Sequence, residues 1–165
     1  VYKSVSANSS IKAVIPIVQQ QYKTHKIVTE FNEKLPPIVV DNNNFQQIII
    51  NLVENACKYS KQGSEVRIKT DFAPNNFVSI KIIDYGVGIK DEDKERIFEK
   101  FSRIDNPLTR EVQGSGLGLF ITKNLVENMN GKINVESSEN GTTFEVLMPI
   151  GDIENQARAK CAPKH

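Results

Sequence analysis

Apolar residues recur along this chain at helical spacing in some stretches and at strand spacing in others, and the switches between the two periods outline most of its elements. From Ser10 to about Lys23, Ile11, Val14, Ile15 and Val18 share a helical stripe, with Pro16 expected to interrupt or relocate the first turn. Two β-rich runs follow, Lys26 to Phe31 and Ile38 to Val40, divided by Leu35, Pro36 and Pro37. A second helix starts near Asn43 or Asn44, either of which suits an N-cap. After a turn at Gly63, the runs Glu65 to Phe72 and Phe77 to Asp84 alternate as an antiparallel pair joined through Ala73, Pro74, Asn75 and Asn76. Asp91 is expected to cap a short helix reaching about Phe98, and Lys100 to Gln113 is an aperiodic loop of the length usually given to function. A third helix runs from about Gly116 to Asn128 and stops at Asn130 and Gly131. Lys132 to Ser137 and Thr142 to Met148 form a hairpin around Asn140 and Gly141, and the polar residues 151–165 read as a frayed tail.

The second helix carries the most informative pattern. At about 100° per residue, Gln47, Asn51, Glu54, Asn55 and Lys58 fall within an arc of about 100°, opposite Phe45, Ile49, Leu52, Val53 and Ala56. A merely wet face is normally built from Glu, Lys and Gln, because each Asn costs a helix about 0.5 kcal/mol relative to Ala. Two asparagines one turn apart therefore point to a polar occupant, with a plain solvated face as the alternative.

Composition narrows the setting. A chain of 165 residues with 39% hydrophobic content supports one domain with a substantial core, here residues 1–150. Its 21 basic residues against 20 acidic ones, without long runs of either sign, give no nucleic-acid surface or membrane patch, so any phosphate binding must come from local geometry. Cys57 in a helix and Cys161 in the tail are poor partners for a bridge, which fits a reducing, cytoplasmic setting. No apolar stretch approaches the ~18 residues that span a bilayer, so this piece is expected to make no direct membrane contact. The first residue is Val, which points to a mature product or an excised piece.

Two further constellations carry chemistry. Asp84 shares a strand face with Val78, Ile80 and Ile82, so its carboxylate emerges on the apolar side of a sheet, where it needs a donor such as a protein amide or a purine amine. Gly86 and Gly88 let backbone come close to a flat ligand. The alternative is an aspartate that only caps the following turn. Gly114, Ser115, Gly116, Leu117 and Gly118 open the third helix, exposing amides suited to phosphate oxygens, although flexible loops carry such glycines too.

Taken in order, NLVENACKYS resembles the N box, IDYGVGI the first glycine box, IFEKFSRID the F box and GSGLGL the second glycine box of the sensor histidine kinase catalytic domain, over about residues 25–150. The resemblance implies an α+β two-layer sandwich of Bergerat type, a mixed sheet of about five strands with helices on one face, holding ATP and Mg²⁺. Carried across position by position, it makes Asn55 a carboxamide ligand to Mg²⁺, with Asn51 supporting metal or phosphates beside it. Lys58 would contact the phosphates, Tyr59 would pack near adenine, and Asp84 would accept the adenine amine's hydrogen bond, with Gly86 and Gly88 making room. Residues from about 90 to 113 would form a lid, with the Gly114 to Gly118 segment as its phosphate-side hinge. Arg103 and Arg110 would neutralise charge on the γ-phosphate, and Glu54 would assist the nucleophile.

Related ATPases of the gyrase and heat-shock chaperone type carry a water-activating Glu where this chain has Asn51, and a carboxamide takes no proton at neutral pH. The resemblance thus favours phosphoryl transfer to a protein histidine over gyrase-like hydrolysis, with a non-transferring ATP sensor or scaffold as the competing reading. Neither His25, at a strand entrance, nor His165 sits in a phosphoacceptor-like sequence. The implied partners are a phosphoacceptor histidine domain of the same parent protein and a downstream response regulator. The isolated piece is expected to be a monomer and the parent a homodimer.

Overall fold

The computed structural model describes residues 1–94, 96–99 and 118–151. The elements follow in the order β1 (Tyr2–Val5), α1 (Ala7–Gln21), β2 (Lys26–Phe31), β3 (Ile38–Asp41), α2 (Asn42–Lys58), β4 (Glu65–Ala73), β5 (Phe77–Asp84), a 3₁₀ turn (Asp91–Asp93), α3 (Gly118–Asn128), β6 (Lys132–Ser138) and β7 (Gly141–Pro149). Five strands make one mixed sheet in the order β2-β4-β5-β7-β6, in which only β2 and β4 run parallel, and β1 pairs with β3 in a separate ribbon. The three helices pack along one face of the large sheet, so the two-layer α+β architecture read from sequence is the one observed.

Strand register explains why that face is covered. Val66, Asp84, Thr142 and Ser137 form one row across β4, β5, β7 and β6, and Ile68, Ile82, Phe144 and Val135 form the next. Because side chains alternate, these rows point the same way, and most of their members are buried beneath the helices. The opposite face carries polar contacts instead: Arg67 pairs with both Glu30 and Glu65, and the Ser79 hydroxyl donates to Glu145 at 2.6 Å.

Several boundaries differ from the sequence reading. α1 starts at Ala7, capped by Ser6, whose hydroxyl accepts the Ser9 amide at 3.3 Å, rather than at Ser10. Pro16 sits inside that helix on its exposed side, so the helix runs through it despite the backbone bond that proline cannot donate. α2 is capped by Asp41 and not by Asn43 or Asn44, since β3 runs directly into the helix and the carboxylate accepts the Asn44 amide at 3.1 Å. Asp91 does not cap a helix to Phe98; its carboxylate pairs with Lys94 Nζ at 2.7 Å beside a single 3₁₀ turn. β1 has no counterpart among the predicted elements. The expected left-handed stop after α3 is present: Asn130 has φ 62° and the Gly131 amide reaches back to the Val126 carbonyl at 2.9 Å.

Candidate functional site

The apolar side of α2 is buried as predicted, with Phe45, Ile48, Ile49, Leu52, Val53, Ala56 and Cys57 all inside the core. The polar side is divided among neighbours. Asn51 accepts from Gln47 Nε2 at 2.7 Å and donates to Thr122 Oγ1 of α3 at 3.2 Å, so it ties two helices together. Glu54 exerts its charge on Tyr22 at the end of α1 and on Cys57; burial first, then that charge, pushes the Cys57 thiol up to about 12 and leaves it an inert core group. Asn55 and Lys58 differ: each is half-buried, and neither side chain has a hydrogen-bond or ion-pair partner among the described residues. Among the described residues, an amide oxygen and an ammonium one turn along are thus without a side-chain partner. Tyr59 closes the helix, its amide bonded to the Asn55 carbonyl at 3.2 Å, and burial raises its phenol.

Across from this edge, Asp84 ends β5 on the apolar face as its alternation requires, with only 5% of its surface exposed. Burial pushes its carboxyl up to about 6, against the pull of the Gly86 and Thr142 backbone amides. The Gly86 amide donates to Oδ1 at 2.9 Å, so Asp84 does cap the following turn, as the plainer reading held. One amide does not settle a buried carboxylate, and acceptor capacity remains for a ligand donor. Thr142, which sequence reasoning missed, is 6% exposed and directly beside Asp84 in register. Its signal was the strand period in β7 together with the Gly141 turn, which becomes visible only once β5 and β7 are known to pair.

The glycines have a reason within the protein as well as toward a ligand. A methyl group on Gly86 would run into the Tyr59 carbonyl oxygen, and one on Gly88, at φ +77°, into the Ser138 carbonyl. Gly86→Ala is therefore expected to lose about 1–3 kcal/mol of stability in urea unfolding, because the colliding partner is backbone. Among the described residues, Gly118 at the mouth of α3 has nothing within 4 Å of where a side chain would stand. Arg103, Arg110, Gly114, Ser115, Gly116, Leu117, His165 and Cys161 lie outside the described residues, as does most of the expected lid. His25 is buried, with Nε2 3.2 Å from Ser60 Oγ and its ring edge-on to Tyr22.

The described residues contain no group of three or more His, Cys, Asp or Glu able to hold a metal by themselves. Magnesium suits such a place, since it retains waters, takes one or two protein oxygens and is completed by substrate phosphates. The unpartnered Asn55 carboxamide fits that requirement. No helix among the described residues is long and apolar enough to cross a membrane.

A family model for the histidine kinase-, DNA gyrase B- and HSP90-like ATPases matches residues 40–152, which contain α2, Asp84 and both glycine segments. The chain belongs to this ATPase family. Among curated relatives, the signal transduction histidine-protein kinase ArlS of Staphylococcus haemolyticus is 33% identical over 147 residues, covering 88% of this chain and 32% of its own length. ArlS of Staphylococcus epidermidis is 32% identical over 149 residues, covering 90% of this chain and again 32% of its own. The chain thus spans about a third of the curated relatives it matches. Among solved structures, the catalytic domain of the histidine kinase ThkA superposes with TM-score 0.78 at 26% identity, covering 90% of this chain and 95% of that one. The mycobacterial sensor histidine kinase MprB, at 24% identity and TM-score 0.77 over 93% of this chain and 100% of that one, has the same fold. On α2 this chain carries a carboxamide at Asn51 bonded to Gln47 and Thr122, and one at Asn55 with no hydrogen-bond partner among the described residues.

Proposed function

We propose that this chain binds Mg-ATP and catalyses transfer of the γ-phosphoryl group to a histidine on a phosphoacceptor domain of its parent protein, from which a response regulator aspartate later receives it. The observation that carries this reading is Asn51. A hydrolytic member needs a carboxylate there to take a proton from water, whereas Asn51 is a carboxamide already engaged by Gln47 and Thr122.

The chain's own residues would divide the work as follows. Asp84 accepts a hydrogen bond from the adenine amine, and Tyr59 packs beside the ring. Asn55 offers its amide oxygen to Mg²⁺, and Lys58 places a positive charge beside the phosphates. Bound Mg²⁺ would neutralise charge on the β- and γ-phosphate oxygens. Asn51 keeps α2 in register with α3, whose N-terminal residue Gly118 is open to the approach of phosphate. The incoming imidazole nitrogen forms a bond to γ-phosphorus as the bond to the β-bridging oxygen breaks, and ADP departs with that electron pair.

Incubating the chain with γ-labelled ATP, Mg²⁺ and the helical histidine domain of its own parent protein tests this directly. Label on the histidine, with little free phosphate in its absence, is the expected result. Tight nucleotide binding without transfer would favour the sensor or scaffold reading, and steady phosphate release by the chain alone would favour the gyrase-like one.

A further inference from the structure

We propose that Ser137 is a positioning residue of the nucleotide site, holding residues 86–94 in place relative to Asp84 from the β6–β7 hairpin. The inference rests on the reading of Asp84 and α2 as a nucleotide site and adds to it a residue that touches neither purine nor phosphate.

Ser137 stands in the same cross-sheet row as Asp84, with Thr142 between them. Its hydroxyl oxygen accepts the Ile89 amide at 2.6 Å and lies 2.9 Å from Thr142 Oγ1 and 3.2 Å from the Gly141 carbonyl. Because the Ile89 amide can only donate, the serine's own proton is directed to Gly141 or Thr142. The Ser137 carbonyl accepts from Lys94 Nζ at 3.2 Å, and the adjoining Ser138 carbonyl is what a side chain at Gly88 would strike. Gly141 in turn lies against the Asp84 carbonyl, and Thr142 stands opposite Asp84 in the β5–β7 register. One serine therefore meets the segment that leaves Asp84 at two points: its hydroxyl fixes position 89 and its carbonyl fixes position 94, while its strand partner Thr142 stands beside Asp84. A serine that merely satisfied a turn amide would account for the Ile89 bond but predicts no effect on ligand affinity.

Ser137→Ala removes the hydroxyl, and Ser137→Thr keeps it on a residue suited to a strand. Both variants and the wild-type chain are titrated calorimetrically with a non-hydrolysable ATP analogue and Mg²⁺, and amide exchange is followed at Ile89. The Ala variant should bind about tenfold more weakly and exchange the Ile89 amide about tenfold faster, with a thermal midpoint within about 3 °C of wild type. The Thr variant should return both quantities to within about threefold. Affinity in Ser137→Ala within about twofold of wild type would overturn the proposal, as would a Thr variant as weak as the Ala variant. Failure of the wild-type chain to bind at all would instead refute the nucleotide site, and with it this inference; the wild-type titration separates the two cases.

Discussion

Asp84→Asn is expected to weaken adenine-nucleotide binding by about tenfold or more at neutral pH while making the unliganded protein more stable. The carboxylate is 5% exposed and already accepts the Gly86 amide at 2.9 Å. A carboxamide in its place would turn its own N–H₂ toward that amide or toward the purine amine, setting donor against donor. The stability effect has the opposite sign. Burial raises the folded-state value from 3.8 to about 6, so the folded protein holds the proton more firmly than the unfolded chain does. That advantage is complete below about pH 4 and is lost as pH rises through about 6, leaving a cost at pH 7 of up to about 3 kcal/mol. Thermal melts should show wild-type stability falling relative to the Asn variant as pH rises from about 4 through about 6. In the same window, nucleotide affinity of the wild type should rise with pH, because an ionised carboxylate is the better acceptor. A variant that binds as tightly as wild type would remove Asp84 from purine recognition.

Much of this was legible in the sequence because it depends on short-range periodicity. The period of two that runs through Val78, Ile80 and Ile82 delivers Asp84 to the buried face, and the 3.6-residue period of α2 separates Leu52 and Ala56 from Asn51 and Asn55. What escaped were features whose partners lie far away in the chain. β1 is four residues long and exists as a strand through pairing with β3, Tyr2 opposite Asp41. Thr142 and Ser137 look like ordinary strand residues until the order β5-β7-β6 sets them beside Asp84. Gly86 and Gly88 suggested room for a ligand, whereas the Tyr59 and Ser138 carbonyls also press on them, a constraint that no local pattern carries. Asp41 escaped as a cap because β3 runs directly into α2, so the strand's last residue also opens the helix.

The second large effect is expected at Asn55. Asn55→Ala should reduce phosphoryl transfer to a histidine-bearing partner by about a hundredfold or more, a barrier change of about 3 kcal/mol, through loss of the oxygen offered to Mg²⁺. The fold should be indifferent, since the carboxamide has no hydrogen-bond partner among the described residues and alanine is the better helix former by about 0.5 kcal/mol. Circular dichroism melts should therefore match wild type or lie slightly above it. Adding Mg²⁺ should strengthen nucleotide binding far less in the variant than in wild type. Asn51→Ala offers a contrast: it breaks the bond to Thr122 and should lower stability by about 1 kcal/mol.

The central claim, that the edge of α2 and the Asp84 carboxylate together form one Mg-dependent adenine site, is tested most directly by calorimetric titration of the chain with a non-hydrolysable ATP analogue, with Mg²⁺ present and after its chelation, alongside the matching guanine nucleotide. Saturable binding of the adenine compound that weakens about tenfold or more without Mg²⁺, together with negligible binding of the guanine compound, is the predicted outcome. No binding by a well-folded chain, or binding indifferent to both metal and base, would contradict it.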